Sequence, residues 1–130
     1  MRFFSRPDEQ EETGKVFEDL IEGRIGNFHI FKWRLAMSLH GTIEEGVIVG
    51  NIWQAWRDAG IDSAELASKL HWPLATIDTI NAYEDGVACY TFPTNAEIRS
   101  NMSEYFEEVD CRTLDYELGD RCPTFLMRKR

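Results

Sequence analysis

Apolar residues recur at helical spacing along most of the chain, and the breaks between the runs predict the elements. Val16, Phe17, Leu20 and Ile21 form one stripe, which Thr13 or Gly14 opens and Gly23 and Gly26 close. Asn27 is placed to cap a second helix. Phe28, Ile30, Phe31, Trp33, Leu35, Ala36 and Leu39 are apolar on more than one side, which predicts the buried centre. Alternation and aromatic content leave a strand open over Phe28 to Trp33. His40-Gly41 ends the run, and Thr42 with Glu45 resembles a capping box. Ile52, Trp53 and Trp56 then predict a helix from about Ile52 to Asp58, stopped by Ala59-Gly60.

Asp62 or Ser63 can cap the next helix, whose stripe is Leu66, Ala67 and Leu70. His71-Trp72-Pro73 breaks it, because proline disfavours the helical region for the residue before it. A second helix with Ile77 and Ile80 inward is expected from Leu74 to Asp85. Two short helices joined by a tight turn make a helix-turn-helix arrangement. Beyond Gly86, Val87 to Phe92 predicts a strand, and Pro93-Thr94-Asn95 a turn. Ala96 to Val109 predicts a helix with Ile98, Met102, Tyr105, Phe106 and Val109 inward. Leu114, Tyr116 and Leu118 alternate with acids and predict a strand, and Thr124 to Met127 a last one. The expected class is mainly α (α+β): a compact helical domain with a helix-turn-helix-like unit and a few short strands. At 130 residues, one domain is expected. Within it fall a loose leader over 1–14, a helical part over 15–47, the helix-turn-helix-like unit over 48–86, and strands with one helix over 87–130.

Composition adds one strong constraint. The formal net charge is −9, from 14 basic and 23 acidic residues, and the excess is local. Residues 61–110 contain only Lys69 and Arg99 as cations, while the chain ends in the basic tail Arg128-Lys129-Arg130. No apolar run approaches a bilayer-spanning length. The first residues turn acidic at once and predict no secretion signal. Cys89, Cys111 and Cys122 lack metal-ligand spacing and are expected as reduced thiols in a cytoplasm. His29, His40 and His71 are equally scattered, so no metal is expected. With no nucleophile elbow, phosphate-binding glycine loop or His-Glu metal motif, neither an enzyme nor a cofactor is expected. A cleft bringing His71 near Cys89 or a carboxylate would revive an enzyme.

The segment Ala55-Trp56-Arg57-Asp58-Ala59-Gly60-Ile61-Asp62-Ser63-Ala64-Glu65-Leu66-Ala67-Ser68-Lys69-Leu70 resembles the first helices of repressor-type helix-turn-helix domains. The shared pattern is an apolar first helix, a Gly-apolar turn and a Leu-Ala pair. Trp72, Ile77 and Ile80 fall where that family has core residues. Ser63 stands where Gln commonly touches phosphate, His71 where the tight-turn Gly stands, and Asn81 on the family's buried glutamate position. A strand after Asp85-Gly86 is similar to a winged-helix arrangement. The resemblance implies a DNA-binding transcriptional regulator, with Leu74, Ala75, Thr76, Asp78 and Thr79 on the recognition face and Ser63, Lys69 and Arg99 in support. Arg57, Arg112 and the basic tail would have to gather beside them, and a homodimer would double the contacts.

The charge points elsewhere, since DNA affinity rests heavily on cations that neutralise phosphates. The bland reading of an acidic face is solubility. The sharper one is a small acidic protein-binding regulator or inhibitor on a helix-turn-helix-like scaffold, meeting a basic surface such as that of a nucleic-acid-binding protein. In charge and size it is similar to small phage or mobile-element inhibitors of the anti-CRISPR or anti-restriction kind. Asp78, Glu84, Asp85, Glu97, Glu104, Glu107 and Glu108 would carry that contact, supported by Asp62, Glu65 and Asp110. Trp72, in the inter-helix turn, would be an exposed anchor.

Overall fold

The protein is described by a computed structural model that covers residues 5–42, 45–112 and 124–130. The elements run α1 (Thr13–Ile21), α2 (Phe28–Ser38), β1 (Val47–Ile48), α3 (Val49–Asp58), α4 (Ser63–Leu70), α5 (Leu74–Asp78), a 3-10 turn (Thr79–Tyr83), β2 (Cys89–Tyr90), α6 (Asn95–Met102), β3 (Phe106–Arg112) and β4 (Thr124–Lys129). The class is mainly α with a few short strands. Contacts divide the chain into two units, one over Glu11–Thr91 and one formed by the two ends, Met1–Gln10 with Phe92–Arg130.

In the Glu11–Thr91 unit, α2 is the centre. Asn27 caps it by accepting from the Ile30 amide at 2.9 Å. Phe28, Phe31 and Leu35 are fully buried, so the helix wins over the strand alternative. Phe31 meets Phe28, Phe17 and Trp56 with ring centroids 5.3, 5.4 and 5.7 Å away, in the tilted and edge-on geometries that aromatic quadrupoles prefer. Trp56 brings α3 into this cluster and Phe17 brings α1, whose Val16 and Leu20 are also fully buried.

The same helix buries charge. Arg34 is bound by Glu11 and, at 2.8 Å, by Asp19, which also takes Lys15 at 2.9 Å and Arg24 at 2.8 Å. The bond from Arg34 first, then that from Lys15, holds the Asp19 carboxyl well below the usual carboxylate range. Buried charges need such pairing, because desolvation is otherwise uncompensated.

β1 pairs antiparallel with β2, Val47 opposite Tyr90 and Ile48 opposite Cys89. Only these two residues of the expected Val87–Phe92 strand are strand. Gly46 makes the approach: its φ is +56°, and an added Cβ would overlap the Tyr90 carbonyl oxygen and lie 2.7 Å from Cys89 Sγ. Gly46→Ala is therefore expected to lower unfolding stability by at least about 2 kcal/mol, left-handed strain plus a backbone clash. Urea unfolding at neutral pH checks it, and an unchanged midpoint would contradict it. The reciprocal Thr42–Glu45 bonds (3.2 and 3.3 Å) are present, but they close a turn ahead of β1.

In the second unit, residues from Ser5 on are not a loose leader. Ser5 is fully buried and bonds Asn95, while the Arg6 amide and guanidinium bond the Pro93 and Phe92 carbonyls. Thr94 and Glu97 form a complete capping box at the start of α6. The helix expected over Ala96–Val109 stops at Met102, and Phe106–Arg112 is strand β3, antiparallel to β4 with a register shift between Glu108 and Asp110. Phe106, Val109 and Cys111 have strand preference, and β4 supplies a hydrogen-bonding edge that a helix could not use. Tyr105 and Val109, expected inward, are exposed. The strand expected over Leu114–Leu118 lies outside the described residues, as does Cys122. Among the described residues, no helix is long and apolar enough to cross a membrane.

Candidate functional site

Residues 48–86 begin as the spacing predicts. Asp62, not Ser63, caps α4, accepting from the Glu65 amide at 3.1 Å. His71 ends it in the left-handed conformation (φ +57°), so it occupies the tight-turn position that the resemblance assigns to glycine. The expected second helix is shortened: α5 covers five residues and gives way at Thr79 to a 3-10 turn. The Thr79 hydroxyl donates to the Thr76 carbonyl at 2.6 Å, a local bond that competes with helix continuation.

The residues proposed to touch DNA are poorly supplied for it. Leu74, Ala75 and Thr79 are exposed, and Ser63 and Thr76 are half-buried. Lys69 donates from Nζ to the Ile21 carbonyl at 2.6 Å, tying it to the carboxyl end of α1, where a cation is favoured. Arg99 belongs to the other unit, where it bonds Glu108 at 3.1 Å and lies over the Phe125 ring at 5.3 Å. Arg57 lies over the Trp53 ring at 5.3 Å, and Arg112 pairs with Asp110 at 2.7 Å. Asn81 is exposed and accepts from the Trp53 indole at 3.3 Å, so it does not occupy the buried position of the family's glutamate.

The carboxylates of residues 48–86 show the opposite condition. Asp58, Asp62, Glu65, Asp78, Glu84 and Asp85 are all exposed, and none forms an ion pair among the described residues. Asp78 and Glu84 flank the 3-10 turn, and Asp85 follows in the left-handed conformation (φ +58°), which aspartate tolerates. The remaining candidates fall in the second unit. Glu97 is spent on the capping box, Glu108 pairs with Arg99, and Glu104 and Glu107 are exposed. Glu107 and Glu108 sit on β3, not on a helix, and Glu107 lies opposite Arg128. Trp72 is half-buried, edge-on to Phe28 at 6.3 Å, so the core takes much of the surface an anchor would offer.

One buried group was not foreseen. Lys32, on α2, is only 9% exposed. Its ammonium donates to Thr79 Oγ1 at 3.0 Å and lies 5.9 Å from the Phe28 ring centre and 5.5 Å from that of Tyr83. No carboxylate among the described residues lies within 4.0 Å. Lys32 lines a cleft of about 100 Å³ with His29, Trp33, Ala36, Ile52, Tyr83 and Tyr90. Burial pushes the Lys32 amine below its ordinary range and the Tyr83 phenol above its own. The sequence does carry a signal: Lys32 has Phe28, Leu35 and Ala36 at the helical-neighbour spacings, so its stem lies on an apolar face.

Cys89 Sγ donates to the Glu45 carbonyl at 2.9 Å, and His71 is exposed at its turn; no hydrogen bond joins the two. No cluster of metal-ligating side chains occurs among the described residues. Compared with known proteins, the chain matches no family model, no curated protein and no solved structure.

Proposed function

We propose that the chain is a protein-binding module, a small acidic regulator or inhibitor whose helix-turn-helix-like segment carries its charge to a basic surface on a partner. The observation that carries this reading is the asymmetry within residues 48–86. Six exposed carboxylates lack ion-pair partners among the described residues, while the two cations are already engaged, Lys69 by a backbone carbonyl and Arg57 by an indole ring. Unneutralised surface charge costs little in water and raises the rate of encounter with an opposite charge. A partner that normally binds nucleic acid offers such a surface. The arc Asp78–Asp85 replaces the wider acidic face, because Glu97 and Glu108 have structural partners. The DNA-binding alternative gains no support from the five-residue α5 or from its engaged cations.

Charge reversal tests the reading. In the variant D78K/E84K/D85N, asparagine is used at 85 because it also tolerates the left-handed conformation. Proteins retained from a cell extract by the immobilised wild type, and released by salt, should be lost from this variant. Association of the recovered partner at low salt should slow by about tenfold or more, with dissociation changed less. Identical retention and kinetics for both proteins would contradict it.

A further inference from the structure

The Lys32 cleft holds a buried cation that the acidic surface does not explain. An ammonium has three donors and no acceptor. Thr79 Oγ1 takes one of them, and that hydroxyl spends its own proton on the Thr76 carbonyl, so it is held as an acceptor. The Phe28 and Tyr83 rings offer π-faces to the cation but no negative charge. A lysine nine-tenths buried, with hydrogen-bonding capacity left over, sits in the wall of an open cleft in a chain of 23 acidic residues, none of which among those described reaches it. Buried charges are ordinarily paired.

The rest of the cleft narrows the class of counter-charge. Ala36, Ile52 and the Trp33 ring make an apolar wall, and the exposed His29 stands among the lining residues. Trp33 and Tyr90 already stack on each other, with ring centres 6.4 Å apart and planes at 26°. The volume is about 100 Å³, which suits a small ligand. A phosphate dianion would face one ammonium against an apolar wall. A single negative charge on a short alkyl chain matches both the charge and the wall.

We propose that the cleft between α2, α3, the 3-10 turn and β2 binds a short-chain aliphatic monocarboxylate, its carboxylate on Lys32 Nζ and its alkyl end against Ala36, Ile52 and Trp33. Burial favours the neutral amine, and a bound carboxylate offsets that by favouring the ammonium. The cleft shares Thr79 and Tyr83 with the segment Asp78–Asp85, but its ligand would meet Lys32 and not the carboxylates proposed to bind a partner.

The test is an NMR titration of the full chain at low chloride with butyrate, 1-butanol and inorganic phosphate, repeated on Lys32→Met. Methionine keeps an apolar stem of similar reach and removes the charge. Butyrate should give saturable shifts at the Trp33 indole and the amides around His29, Lys32 and Tyr83. Butanol on the wild type and butyrate on the variant should each bind at least about tenfold more weakly, the usual loss when a charge-assisted bond is removed. No saturable shift with butyrate, equal binding of butanol or phosphate, or unchanged binding to the variant would each overturn the site. If the variant fails to fold, butyrate against butanol on the wild type decides alone.

Discussion

Truncation of Phe31 to alanine is expected to cost about 4 kcal/mol of unfolding stability. Phe31 is fully buried at the meeting of three helices, in ring contact with Phe17 of α1, Phe28 of α2 and Trp56 of α3. Removing the ring loses the transfer energy of its carbons and leaves a void that rigid aromatic neighbours cannot close. Phe31→Leu should cost about 1–2 kcal/mol by comparison, since it refills most of the volume. Urea unfolding followed by tryptophan fluorescence measures both, and similar losses for the two variants would contradict the packing account.

Asp19→Asn is the second large effect, about 3 kcal/mol at pH 7. Asparagine keeps the shape but leaves the buried Arg34 with Glu11 alone, removes the ion-pair partner of Lys15 and leaves Arg24 with Glu18 and Glu22. The sign of its pH dependence follows from the lowered Asp19 carboxyl. A group whose folded state holds the proton less tightly than the unfolded chain stabilises fully above the unfolded value, near 3.9 for aspartate, and loses that contribution as pH falls towards the folded one. The gap between wild type and variant should be constant from about pH 7 to pH 5 and shrink progressively below about pH 4. Denaturant midpoints across that range check it, and a gap that stays constant down to about pH 2.5 would contradict the ion-pair origin.

Much of the helical half was legible because its signals are local. The Asn27 cap, the α1 stripe, the Asp62 cap and the His71 break each depend on residues within one or two turns. What the sequence did not disclose depends on partners far along the chain. The end of α6 at Met102 follows from pairing of β3 with β4, which no window over Ala96–Val109 contains. Burial of Ser5 likewise needs Asn95, ninety residues away. The shortening of α5 was half-visible, since Thr76 and Thr79 are residues whose hydroxyls compete with the helix. In the candidate site, exposure of Asp78, Glu84 and Asp85 agrees with their charge, whereas the fates of Lys69 and Arg99 required the fold. For Lys32 the local spacing places only the stem: a long cationic side chain in an apolar helix ordinarily snorkels outward, and here the amine stays inside.

The account stands on the helix-turn-helix-like half presenting an anionic surface rather than a phosphate-binding one. Anisotropy of a labelled random double-stranded DNA pool, titrated with the protein from low to physiological salt, tests it most directly. The predicted result is no change in anisotropy even at the lowest salt, because the cations of this half are engaged within the fold. Binding that is strong at low salt and falls steeply as salt rises would reveal a phosphate-contacting surface and contradict the account.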